Sequence, residues 1–144
     1  MSAPELVIYV NCPELAAPLD EQRVVRAVSV VAEAEAVTTG ELSVTFLAAE
    51  AMAALNEAHL NRPGPTDVVA FNLAQPDAPL GDIYICPDVA RESALEFGVE
   101  LEEELLRLVV HGLLHVFGYD HPEGPERVDS EMFRRQEALL ARLL

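Results

Sequence analysis

The segment Leu101-Glu-Glu-Glu-Leu-Leu-Arg107-Leu-Val-Val-His111-Gly112-Leu-Leu-His115-Val-Phe117-Gly118-Tyr119-Asp120-His121 is rich in apolar residues and carries three acids directly after its first leucine. It contains three of the four histidines of the chain. Leu101–Phe117 reads as a helix whose acidic first turn complements the positive end of its dipole. Positions i and i+4 of a helix share a face, roughly 6 Å apart along the axis. His111 and His115 can therefore converge on one point beside the helix. Gly118 permits the left-handed turn that ends a helix, which lets the chain fold back and return His121 to the same point. Three neutral imidazoles with an open fourth position are the ligand set of a catalytic zinc site, not of a closed structural one. Nickel or cobalt would suit the same nitrogens.

The rest of the chain supplies the scaffold for that helix. Leu6–Val10 reads as a strand ended by Asn11 and Pro13. Asp20 can cap a helix to about Ala36, with Val24, Val25, Val28, Val31 and Ala32 on one side. Leu42, Val44 and Phe46 alternate with polar residues, as in a half-buried strand. Ala49 to about Asn61 reads as a helix stopped by Arg62-Pro63-Gly64-Pro65. Val68–Leu73 and Ile83–Cys86 are two more strands, separated by a loop with Pro76, Pro79 and Gly81. Pro87 can open a helix through Glu96, with Gly98 past its end, and Ser130 caps a last helix carrying Met132, Phe133, Leu139 and Leu143. The order is βαβαββααα. It predicts an α/β (α+β) fold, one domain over 1–144, with a mixed sheet of about four strands packed by about five helices.

Composition bounds the function. The 144 residues carry 25 acidic and 9 basic side chains, a formal charge of −16, and all nine bases are arginine. Such a surface repels nucleic acid at long range, so RNA binding needs a local basic patch or a partner. Arginine can hold phosphate through two parallel hydrogen bonds, but the arginines here are scattered, and most read as solvated helix charges. No apolar run approaches the length of a membrane span, and the first residues have no leader-like pattern. The expected protein is soluble and cytoplasmic, without a membrane partner. Cys12 and Cys86 form no C-x-x-C pair and read as small buried hydrophobes.

The spacing H-x3-H-x5-H also occurs in metzincin proteases, which place a glutamate base directly after the first histidine. Gly112 stands there in this chain, so peptide hydrolysis of that kind is not expected. Met132 reads as a core methionine of the last helix.

The histidine block resembles the YbeY family of bacterial endoribonucleases, also described as rRNA maturation factors. That family's hallmark, H-G-x-L-H-L-x-G-Y-D-H, is matched from His111 to His121 except at Val116. A second signature, L-N-x-x-Y-R-x-x-x-x-P-T-D-V-L-S-F, is similar to Leu55–Phe71. Gly81-Asp82-Ile83 matches a family strand start, and Met132 and Glu137 fit the last helix. The resemblance covers about residues 40 to 144.

It implies one Zn2+ per chain on His111, His115 and His121, and metal-dependent cleavage of single-stranded RNA. It further implies a place in 16S rRNA 3′-end maturation and ribosome quality control, with the small ribosomal subunit and assembly factors as partners. Three family positions differ. The arginine thought to contact substrate phosphate falls on Leu60, the tyrosine before it on His59, and the serine on Ala70. Arg62, two residues on, is the candidate catalytic replacement, against the plainer reading of a solvated loop arginine. His59, Asp67 and Asp120 are further candidates near the substrate or behind the ligands. Asp67 can orient an imidazole, whereas turn formation accounts equally well for Asp120. Two other readings stay open. One is a zinc hydrolase of a non-nucleic-acid substrate, which the charge favours; the other is a ribosome assembly factor with a mainly structural metal.

Overall fold

The structure, a computed structural model, describes residues 5–13, 18–73, 79–121, 126 and 130–144. Pro76 and the Pro122–Pro125 loop lie outside these. The element order is β1 (Leu6–Asn11), α1 (Glu21–Ala34), β2 (Gly40–Phe46), α2 (Ala49–Leu60), β3 (Val68–Asn72), β4 (Leu80–Ile85), α3 (Pro87–Phe97), α4 (Leu101–Val116) and α5 (Glu131–Leu143). This is the predicted βαβαββααα chain. The strands form one mixed sheet in the order β1-β2-β4-β3. β1 and β4 each run parallel to β2, and β3 closes the edge antiparallel to β4.

Local chemistry sets most boundaries. The Asp20 carboxylate accepts from the Gln22 amide at 2.8 Å and starts α1. The Ser130 hydroxyl accepts from the Phe133 amide at 3.1 Å and starts α5. Pro87 occupies the first turn of α3, and Gly98, at φ +68°, ends it. Several limits shift by one residue, and two differ from the periodicity by two or more. α1 stops at Ala34, because Glu35 caps it and Ala36 turns left-handed at φ +58°. β4 begins at Leu80, ahead of Ile83, because Leu80, Gly81 and Asp82 pair with Glu41, Leu42 and Ser43 of β2.

One face of the sheet carries the main core. Leu42, Val44, Phe46, Ile83 and Ile85 pack there with residues of α1, α4 and α5. On α1 the buried positions are Val24, Ala27, Val28, Val31 and Ala32, while Val25 is only half-buried. A smaller cluster on the other face joins Met52 of α2 to Val69, Cys86, Phe71 and Tyr84. Cys86 is buried, as expected, but Cys12 is only half-buried at the end of β1.

α4 is the central helix and touches α1, α3, α5, β3 and β4. It lies very close to the sheet at two glycines. A Cβ on Gly112 would come 2.6 Å from Ile83 Cγ2, and one on Gly81 would come 2.5 Å from Val116 Cγ1. Real side-chain carbons do not approach so near, so each glycine makes room for the opposite element. No helix among the described residues is long and apolar enough to cross a membrane.

Candidate metal centre

His111 and His115 project from one face of the last two turns of α4. The turn after them is a Schellman motif: the Tyr119 amide donates to the Leu114 carbonyl at 2.9 Å, and the Gly118 amide to the His115 carbonyl at 3.0 Å. Gly118 takes φ +103°, a conformation closed to most side chains. The chain thereby reverses, and His121 comes back against the helix. Its own amide donates to the Asp120 carboxylate at 2.8 Å, which makes Asp120 part of the turn. Tyr119 packs against the core and its hydroxyl is held by Glu35, a bond that pushes its pKa up. Glu35 also accepts from Arg135 of α5 at 3.2 Å, so the turn is tied to two helices.

The three rings do meet. One nitrogen from each of His111, His115 and His121 lies within 4.8 Å of the other two, and the ring centroids are 4.7, 5.2 and 5.0 Å apart. His115 Nδ1 stands 3.2 Å from the Tyr119 carbonyl oxygen. A carbonyl can only accept, so Nδ1 carries the proton and Nε2 keeps a bare lone pair. That lone pair lies 3.1 Å from His111 Nε2. Tetrahedral zinc with ordinary nitrogen bonds spaces its ligands on the order of 3.3 Å. The donor set therefore fits a single divalent ion among three imidazoles.

Electrostatics keeps the His111 and His115 rings neutral and able to bind a metal. Burial pushes His111 down from the ordinary 6.5 to about 4; its bond to Gln136 opposes the shift, and His115 and His121 reinforce it. Burial, and then His121, also lower His115. A histidine whose folded pKa lies below its unfolded one stabilises the fold above the unfolded value and loses that contribution as pH falls. The window here runs from 6.5 down to about 4. Metal-free protein should therefore weaken across it, by up to about 3 kcal/mol from His111. Urea unfolding of chelator-treated protein at pH 7 and pH 4.5 checks this. The change should be smaller in His111→Leu, and an equal change would show that His111 does not stay neutral.

A cavity of about 390 Å3 opens beside His111 and His121. Its walls include Phe97, Val99, Leu108, Met132 and Phe133, and its polar groups include Asp67, Glu104, Arg107, Gln136 and Glu137. Arg107 is surrounded by acid. Its Nε and Nη2 meet Glu137 at 3.0 and 3.2 Å, Nη1 meets Glu104 at 2.7 Å, and Nη2 also meets Glu103 at 3.2 Å. Burial works against the guanidinium charge, but the bonds to Glu137 and Glu104 more than offset it and hold the Arg107 pKa high. Burial pushes Glu104 up, against the pull of Arg107.

The other candidates lie at varying distances from this centre. Asp67 lines the cavity, and its charge favours the protonated form of His111. Its Oδ1 accepts from the Val68 amide at 2.8 Å and the Thr66 hydroxyl at 3.4 Å. Arg62 is exposed on the α2–β3 loop and does not line the cavity. Asn56, buried on α2, fixes that loop by donating to the Gly64 carbonyl at 2.9 Å. His59 stands at the end of α2, in an edge-to-face row with Phe71 and Tyr84 on the α2 side of the sheet. The structure does not bring it to the trio. Gln136 and Arg107 were missed from sequence alone, though each left a trace. Arg107 continues the His111–His115 row one turn back, and Gln136 is a polar residue on the buried face of α5 with Met132, Leu139 and Leu143.

Residues 14–144 match the family described as Endoribonuclease YbeY. Relatives bearing that name include one from Thermobifida fusca, 40% identical over 139 residues, covering 89% of this chain and 88% of the relative. Another, from Beutenbergia cavernae, is 44% identical over 114 residues, covering 72% of this chain and 75% of the relative. The fold is similar to the solution structure of a Thermotoga maritima protein, with a TM-score of 0.67 and 27% identity over 95% of this chain and 89% of that one.

Proposed function

The chain belongs to the YbeY family of endoribonucleases, and from that we propose that it is a zinc-dependent endoribonuclease cutting single-stranded RNA. Its cellular place would be the cytoplasm, in 16S rRNA 3′-end maturation and ribosome quality control, with the small ribosomal subunit and assembly factors as partners. The convergence of His111, His115 and His121 within 4.8 Å is the observation that carries the reading. A bound zinc ion supplies a Lewis acid and brings the pKa of a coordinated water to about 7.

The chain's own residues then have separate tasks. His111 and His115 present ring nitrogens held by bonds on their far sides, at 2.6 Å to Gln136 and 3.2 Å to the Tyr119 carbonyl. His121 closes the set from the turn. The cavity beside them receives nucleotides flanking the scissile bond. Arg107 is engaged by three carboxylates, so it is a poor phosphate ligand. Arg62, on the loop leading to Asp67, is the arginine we assign to the phosphate.

The deciding experiment incubates single-stranded RNA with untagged protein, with and without chelator. Cleavage that chelator stops and zinc restores is expected; equal cleavage in both arms rejects the reading. Failure to cut a DNA of matched sequence would point to attack by the ribose 2′-OH. One observation favours a second reading, a zinc hydrolase of a non-nucleic-acid substrate. The cavity holds Asp67, Glu104 and Glu137 against one guanidinium in a chain of charge −16, a poor setting for a polyanion. Turnover of peptides or esters with no RNA cleavage would select it.

A further inference from the structure

We infer that Gln136 is a positioning residue that locks His111 in the tautomer able to bind metal, an inference resting on the metal-centre reading above. Hydrogen-bond polarity is fixed from one end of a chain of contacts to the other. Arg107 has only donors to offer, and it grips both oxygens of Glu137 at 3.0 and 3.2 Å. Glu137, with both oxygens accepting from the guanidinium, faces its neighbour as an acceptor. Its Oε2 lies 3.0 Å from the side-chain amide of Gln136. The two ends of an amide are normally assigned from the surrounding network. Here the neighbour cannot donate, so the NH2 end must face Glu137.

This leaves Gln136 Oε1 pointing the other way, 2.6 Å from His111 Nδ1. An amide oxygen accepts only, so Nδ1 must carry the hydrogen. Neutral imidazole has a single N–H, and Nε2 is therefore bare. That atom is the one facing His115 Nε2 at 3.1 Å. Gln136 is 5% exposed, so water has little access to replace its oxygen. The chain of contacts leaves α4 at Arg107, crosses to α5 at Glu137 and Gln136, and returns to α4 one turn on at His111. A side chain that merely filled the core would impose no polarity on the ring. With both far-side partners accepting, His111 and His115 direct two unprotonated nitrogens at each other, an arrangement a cation relieves.

The test compares wild type with Gln136→Met, which keeps the length and burial without the acceptor. Long-range nitrogen–proton NMR on histidine-labelled, metal-free protein at pH 7 reads the tautomer directly. Wild type should show His111 protonated at Nδ1, and Gln136→Met should lose that preference. Zinc affinity, measured against a chromophoric chelator, should fall about 10–100-fold in Gln136→Met. Wild type protonated at Nε2, or Gln136→Met with unchanged tautomer or unchanged affinity, would overturn the inference. Should Gln136→Met not fold, the wild-type tautomer decides. A wild type with the stated tautomer but no zinc uptake would refute the metal-centre reading and leave the tautomer lock standing.

Discussion

Replacing Arg107 by methionine should cost about 1–3 kcal/mol of stability at pH 7, between the effect of losing an exposed pair and that of losing a buried one, because Glu104 is buried while Arg107, Glu103 and Glu137 are only partly so. The cause is the group left behind more than the bonds lost. Glu104 is 6% exposed, and its carboxyl is already pushed up by burial, with Arg107 opposing the shift. Without the guanidinium, Glu103, Glu104 and Glu137 are left as three acids around an apolar side chain. Protonation of Glu104 would relieve part of this, since a carboxyl favoured in its neutral form gains relative stability as pH falls. The deficit in urea unfolding should therefore shrink between pH 7 and pH 5, and Arg107→Met/Glu104→Gln should recover part of it. A variant as stable as wild type at pH 7 would show that solvent reaches the cluster and that it carries little energy.

His115→Ala should have the largest effect on function: zinc affinity down by more than about 100-fold, with RNA cleavage falling at least as far. The bound follows from comparison, because losing even a partner behind a ligand costs about 10–100-fold. The variant should fold normally. His115 is half-buried in the last turn of α4, and the turn beyond it keeps its backbone bonds at Gly118 and Tyr119. Elemental analysis of the purified variant, together with the RNA assay, measures both effects. Full zinc content would mean that His115 is not a ligand. Retained co-sedimentation with small ribosomal subunits alongside lost cleavage would separate association from chemistry.

The local features were legible in the sequence. The trio could be read because all its parts lie within eleven residues and are joined by one helix and one glycine turn, each with a short-range signature. The caps at Asp20 and Ser130 were legible for the same reason. What escaped depended on partners distant in the chain. The early start of β4 is fixed by β2, since Leu80-Gly81-Asp82 has little strand character of its own. Arg107 and Gln136 acquire their roles only when α5 docks on α4, through contacts spanning 30 and 25 residues. Arg62 and Leu60 show the opposite case. Their positions could be compared with a family pattern, but spacing alone says nothing of what an exposed loop faces.

The two glycine seats between α4 and β4 bear on how this centre can be altered. With Gly112 against Ile83 and Gly81 against Val116, the helix is keyed to the strand at two places and cannot slide or roll without a collision. The imidazoles thus inherit their aim from the sheet beneath them. Retuning the centre for another ion is better attempted from the α5 side, where side chains alone set the contacts, than by moving the helix that carries the rings.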